Sequence, residues 1–230
     1  MMLSPESYYE LNLKGKSADE IWSEIDQLKK HMSHLKDQLE NPARRREALL
    51  VHPSPSTRIF CERLYLQRAI QALEELGELY TPSPEEKQAI EFDTRIDKIK
   101  EIVLHIGCFF ETQKETIVKL QDGQALFFER VLGEADEVPV SEPMDAAEFL
   151  TTFRDLHIGE WQKHYSCERF GYMVLDGTQW KLTIKYADGR QDCVITGDNC
   201  YPYNFAELLE LLGRSEYLTP DDFPTFPQDI

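Results

Sequence analysis

Residues 170–212 read FGYMVLDGTQWKLTIKYADGRQDCVITGDNCYPYNFAELLELL. Three short runs of alternating apolar residues are separated by Asp176-Gly177 and Asp188-Gly189, and an Asp-Gly pair supplies the positive φ angles of a tight hairpin turn. The stretch predicts a three-stranded antiparallel meander. Gly197-Asp198-Asn199 then breaks the alternation and Pro202 sets the chain direction. Asn204 stands where a helix cap belongs, ahead of Phe205, Leu208, Leu209 and Leu212 on one helical face.

Upstream of the meander, Trp161 and Tyr165 lie in a connecting segment, and Asp145 is placed to cap a short helix carrying Phe149, Leu150 and Phe153. Residues 133–143 are acidic and contain prolines, the signature of an exposed loop. Before them, 101–110, 115–120 and 125–132 read as strands, the last two joined across Asp122-Gly123. Ser83-Pro84-Glu85-Glu86 opens a further helix, with a cap, a proline at the first position and acids in the first turn. Ile90 and Ile96 are its apolar residues. The pattern from 81 to 214 is three strands and a helix, twice, which predicts a mainly antiparallel sheet with helices packed on one face. The tail 215–230, with Pro220, Pro224 and Pro227, reads as extended.

The first 80 residues have a different period. Ser17 with Glu20 forms a capping box, followed by Ile21, Ile25, Leu28, Met32, Leu35 and Leu39 at spacings of 4, 3, 4, 3 and 4. That is a heptad seam of coiled-coil type. Asn41-Pro42 ends it, and a connector with Arg44-Arg45-Arg46 leads to a second helix opened by Ser56 or Thr57. Its expected buried side is Ile59, Phe60, Leu64, Ala69, Ile70, Leu73 and Leu76. The fold class is therefore α+β, with a helical hairpin over 1–80, an acidic α+β domain over 81–214 and a tail over 215–230. A heptad this regular exceeds what an intramolecular hairpin needs, so the seam is expected to mediate self-association as a homodimer.

Of the formal net charge of −17, residues 1–80 contribute −2 (11 Lys+Arg, 13 Asp+Glu) and residues 81–230 contribute −15 (14 and 29). Such a field repels nucleic acid and membrane phosphates and attracts basic protein surfaces. Three consecutive arginines against that background do not make an autonomous nucleic-acid binder. The longest apolar runs are far short of the roughly 20 residues of a membrane span. The opening MMLSPESYYELNL lacks the order of a signal peptide, so the expected location is cytoplasmic. Five dispersed cysteines without a CxxC pair indicate neither a disulfide framework nor a zinc ribbon.

No motif declares an enzyme. His157, His164 and Cys167 are zinc-ligand types close in sequence, but their spacing matches no zinc motif. His31 and His34 lie three apart on the first long helix. Cys200 follows Gly197-Asp198-Asn199 and precedes a helix, as a nucleophile on a turn would, yet it lacks the surrounding glycines of a nucleophile elbow, and a free Cys usually acts as a small buried hydrophobe. There is no phosphate-binding glycine loop. Trp180 alternates with Leu182 and Ile184 and belongs to a core, whereas Tyr201 and Tyr203 flank Pro202 on a loop and are the better candidates for surface anchors, with core packing as the alternative reading.

Several stretches resemble an uncharacterised protein family of gut Firmicutes often found among mobile-element genes: SPESYYELNLKGKSADEI, SPSTRIFCERLYLQRAIQAL, DLHIGEWQKHY, DGTQWKLTIKY and GDNCYPYNFAELLELL. The family has no established activity, so the resemblance implies a context, an accessory protein of mobile DNA, and no functional residues. The expected function is a non-enzymatic acidic interaction module without cofactor. It would act as an inhibitor of a basic, nucleic-acid-binding partner, such as a CRISPR effector, by mimicking nucleic acid. The expected contacts are Glu134, Asp136, Glu137 and Glu142, with Tyr201 and Tyr203. Two other readings are a small metal- or cysteine-dependent hydrolase and a coiled-coil structural adaptor.

Overall fold

The computed structural model describes residues 2–107, 113–173 and 177–214, with the backbone alone at Arg46 and Leu49. Asp176, Cys108 and the 215–230 tail therefore lie outside the described residues. The chain divides into two compact units, Met1–Pro82 and Ser83–Ile230. No helix among the described residues is long and apolar enough to cross a membrane.

The first unit holds α1 (Pro5–Asn12), α2 (Ala18–Glu40), α3 (Pro42–Leu49) and α4 (Pro55–Glu75). The Ser17–Glu20 capping box is formed in full at the start of α2. Asn41 closes α2 and at once caps α3, its side chain accepting from the Ala43 N–H, so the arginine-bearing connector is partly helical. The cap of α4 is Ser54, ahead of Ser56 and Thr57, with Pro55 at the first helical position.

All six seam residues of α2 are buried within the single chain, Leu28 at 7% exposure and Leu35 at 1%. Ile21, Ile25 and Leu28 share one cluster with Tyr65, Ala69, Ala72 and Leu73 of α4 and with Tyr8 and Leu13. The seam expected to meet a second copy is thus packed against α4 and the N-terminal segment of its own chain. Small residues at 69 and 72 let α4 come close enough to fill the seam itself, and α1 adds the Tyr8 ring, stacked on Tyr65 at 4.2 Å. The buried side of α4 is also rotated from the one expected: Ile59, Glu62, Tyr65, Ala69, Ala72 and Leu73 face inward, while Phe60 and Leu76 face solvent.

The second unit begins with α5 (Pro84–Asp93), capped by a Ser83–Glu86 capping box. Its single mainly antiparallel sheet contains β1 (Ile99–Gly107), β2 (Lys114–Gln121), β3 (Gln124–Val131), β4 (Val138–Pro139), β5 (Met144–Asp145), β6 (His164–Ser166), β7 (Gln179–Tyr186) and β8 (Cys193–Asp198). The order is β4-β3-β2-β1-β7-β8-β6, with β5 also on β3. Two helices complete the unit, α6 (Ala146–Asp155) and α7 (Phe205–Leu211). Asp122 and Gly123 both take positive φ, 52° and 76°, which makes the β2–β3 connection the tight turn read from the sequence.

The meander is corrected in two respects. Residues 170–173 are not strand, and the outer neighbour of β8 is the three-residue β6, which runs parallel to it. Asp188-Gly189 sits in a longer connection, residues 187–192, and not in a two-residue turn.

Registers place Ile102, Leu104 and Ile106 of β1 beside Val118, Phe127, Trp180, Leu182, Ile184 and Ile195 on one face. These join Phe149, Phe153, Phe205, Leu208 and Leu209 from α6 and α7 in one core cluster. Trp180 is its centre, within 6.5 Å of the rings of Trp161, Tyr165, Tyr201 and Phe205. Its indole lies over Gly197, where an added Cβ would stand 2.1 Å from Nε1, and its N–H donates to the Cys200 carbonyl at 2.9 Å.

Asn204 does not cap α7 through its side chain. It accepts from Trp161 Nε1 at 3.0 Å and donates to the Leu156 carbonyl at 2.7 Å, joining three segments of the unit.

Two charges in the α2 seam would test its role. Removing a buried leucine costs about 2–5 kcal/mol, against a total domain stability of about 5–15 kcal/mol. Leu28→Lys with Leu35→Lys is therefore expected to abolish the helical circular-dichroism signal of the first unit. A well-folded chain whose only change is a smaller mass by light scattering would contradict this assignment.

Candidate functional site

The acidic loop between β3 and β5 is built around one fastened residue. Glu137 is ion-paired to Lys119 on β2 and lies 3.6 Å from Arg130 on β3, which pins the loop to the sheet edge. It is a structural foot more than a free contact. Glu134, Asp136 and Glu142 are exposed and have no ion-pair partner among the described residues. Val138 and Val140, beside them, are exposed at 61% and 51%.

Tyr201 and Tyr203 do not belong to this surface. They are buried, at 5% and 8% exposure, and the Tyr201 ring lies 5.1 Å from that of Phe205. Their expected role as surface anchors is corrected: an aromatic ring beside an unfilled core buries 150–250 Å² by turning inward, and the 199–204 segment passes close enough to Trp180 to permit it.

The residues of the hydrolase reading are dispersed. Cys167 is buried, its Sγ–H donating to the Asn199 carbonyl at 3.3 Å, and burial, assisted by Asp198, pushes its thiol up to about 11. Cys200 is fully buried among the aromatic rings. His157 stands in the left-handed region at the end of α6, φ 50°. His164 is exposed on β6, bonded through Nδ1 to Thr196 Oγ1 at 2.9 Å. Among the described residues no three His, Cys, Asp or Glu side chains are grouped to hold a metal.

His31 and His34 are each engaged elsewhere, His34 with Gln38. The guanidinium of Arg58 can only donate, so His31 Nε2 accepts from it at 2.7 Å and the imidazole proton sits on Nδ1, facing Glu62. Burial holds the Glu62 carboxyl above the usual carboxylate range, while His31 and then Arg58 pull it back.

A third constellation was invisible in the linear sequence. On the sheet face opposite the core, registers set Arg130, Glu115, His105, Lys181, Thr196 and His164 side by side, one from each of six strands. Arg130 bonds Glu115. Burial draws the His105 imidazole below its ordinary range; Glu115 opposes this and Lys181 adds to it.

Next to this row, Gln179, Asp198 and Ser166 form a second one at the β7–β8–β6 end. Lys181, Gln179 and His164 are exposed, and Thr196, Asp198 and Ser166 are half-buried. Asp198 is held from behind. Asn199, buried with φ 52°, donates from Nδ2 to Asp198 Oδ1 at 2.7 Å, accepts the Thr178 N–H on Oδ1 at 2.9 Å, and donates its own N–H to the Thr178 carbonyl at 3.0 Å. A buried polar residue in a sparsely populated backbone region, spent on orienting a half-exposed carboxylate, marks this end of the sheet for attention.

No family model matches this chain, and neither a curated protein nor a solved structure was found to be similar to it.

The thiol geometry predicts protection. In the folded chain Cys167 should resist iodoacetamide at pH 8 and gain reactivity only as pH approaches 11, whereas in urea it should react near the ordinary thiol pKa of about 8.5. Peptide mapping of the alkylated protein checks this. Rapid folded-state labelling at pH 8 would restore Cys167 as a candidate nucleophile.

Proposed function

We propose that this protein is a non-enzymatic interaction module that engages a basic protein surface through the loop carrying Glu134, Asp136 and Glu142. The supporting observation is the arrangement of that loop: three exposed carboxylates without ion-pair partners among the described residues, held at the sheet edge by a fourth that is already paired. Unpaired surface acids within a unit of net charge −15 steer a cationic partner over distances comparable to the Debye length, about 8 Å at physiological salt. Exposed Val138 and Val140 supply the apolar contact that charge alone does not.

The partner class that fits this chemistry is a protein with a basic nucleic-acid-binding channel, which the loop would occupy in place of phosphates. The resemblance to a mobile-element family gives that reading its setting, interference with a host defence nuclease. In this proposal α2 and α4 form a helical hairpin that supports the module. The reading places the protein in the cytoplasm, where such a partner would be met.

The test has two stages. Tagged protein is exposed to nuclease-treated host lysate at low and high salt, and the protein retained only at low salt is identified and purified. Its affinity is then measured across salt concentrations for the wild type and for Glu134→Gln/Asp136→Asn/Glu142→Gln. The triple variant should bind more weakly and with a shallower salt dependence. An unchanged affinity and slope would remove the loop from the interface, and a catalytic turnover by the purified protein would remove the non-enzymatic reading.

A further inference from the structure

We propose, resting on the reading of the acidic loop given above, that the open sheet edge at β4 receives the basic partner as an extended segment added to the sheet as one more strand.

The loop is more regular than its composition suggests. Glu134 donates its N–H to the Val131 carbonyl at 3.0 Å across a turn in which Gly133 takes φ 91°. The returning chain then runs antiparallel to β3, with Val138 opposite Glu129 and Pro139 opposite Phe128, and the Val140 N–H donates to the Phe127 carbonyl at 3.1 Å. The same register continued by one residue sets Glu137 opposite Arg130, and their 3.6 Å contact agrees with it. Residues 137–140 therefore form an extended strip. β4 is the last strand of the sheet order on that side, and Val138, Pro139 and Val140 are all exposed.

In an antiparallel ladder successive residues direct their backbone groups alternately toward one neighbour and the other. Val140 faces β3, so Pro139 and Glu137 turn theirs outward. Proline has no N–H, and the edge thus offers two carbonyls and the Glu137 N–H to an incoming chain. The side chains alternate as well. Val138 and Val140, at 61% and 51% exposure, project to one face, and Asp136 and Glu142 follow at the same two-residue spacing on either side of them. An open edge with two exposed valines is a template for another strand.

The charges decide which strand it accepts. A second copy laid on this edge would bring Asp136, Glu137 and Glu142 near their own duplicates in a chain of net charge −17, and like charges across a strand pair oppose pairing. A segment with apolar residues at two alternate positions, and Lys or Arg at the next alternate position on each side, sets apolar groups on valine and cations on carboxylates. Such a segment has seven residues and spans about 20 Å. Main-chain hydrogen bonds then supply affinity, and the alternate side chains supply selectivity.

The experiment titrates the capped peptide KTVTVTK into the full-length isotope-labelled protein to millimolar concentration. Its sequence reads the same in both directions, so either strand polarity presents the same pattern. Two N-methylated forms are titrated in parallel. Methylation at the threonines removes the donors that face the edge, and methylation at the valines removes those that face solvent. Saturable shifts of the Glu137 amide and of the Val138 and Val140 methyl resonances are expected with KTVTVTK and with its valine-methylated form. Binding at least tenfold weaker is expected with the threonine-methylated form and with ETVTVTE. Asp136→Asn/Glu142→Gln, changed at exposed positions, should weaken KTVTVTK binding and flatten its salt dependence. Absence of saturable shifts with KTVTVTK, equal binding of the two methylated forms, or equal binding of ETVTVTE would each overturn strand addition. None of these results decides whether a host protein is captured through the three carboxylates, which the lysate experiment reads separately.

Discussion

The indole of Trp180 occupies the space that any side chain at position 197 would need, and the architecture of the second unit follows from that exclusion. Because residue 197 is glycine, β7 and β8 can pair with a tryptophan folded across them, and the ring becomes a floor for Trp161, Tyr165, Tyr201 and Phe205. The indole N–H must then find an acceptor in a water-free setting. It takes the Cys200 carbonyl, which fixes the turn from β8 toward α7. The second tryptophan is satisfied through Asn204, whose amide continues to Leu156 at the end of α6. Two buried indole donors thus set the positions of both helices, and burial of the Tyr201 ring follows from the path of the segment that serves them.

The first unit obeys a different rule, in which a repeated apolar spacing is answered by small residues on the facing helix. Ala69 and Ala72 allow close approach, and Leu13 and Tyr8 from the N-terminal segment fill the remaining side. Such a unit tolerates a polar element at its margin. Arg58, His31 and Glu62 form a directional chain of donors across α2 and α4, where a hydrocarbon contact would also have packed.

What the sequence disclosed was local. The Asp122-Gly123 turn, the Ser17–Glu20 and Ser83–Glu86 boxes and the α2 period are each determined within a few residues and appear in the structure as read. Asn204 stands at a cap position in the sequence, but its side-chain partners lie 43 and 48 residues away. The seam of α2 was legible, but whether it met its own chain or a copy was not, since both answers use one pattern. β6 has only three residues and pairs in parallel, too little to carry a period. The polar row on the outer face is drawn from six strands, and each of its members is merely the outward residue of an alternation; the register that gathers them is a property of the folded sheet. In the sequence His164 stands close to two other residues of zinc-ligand type, whereas its neighbour in the fold is the Thr196 hydroxyl.

Asn199 shows how narrow the choice at one position becomes when backbone and side chain are both engaged. Its left-handed conformation admits glycine, asparagine and aspartate readily, and other residues with strain. Glycine would supply the conformation and leave the Thr178 N–H without its acceptor. Aspartate could accept that bond but would offer no N–H to Asp198 and would set a second carboxylate against it. Only asparagine meets all three demands, so as long as Asp198 and this turn persist through descent, position 199 has an alphabet of one letter.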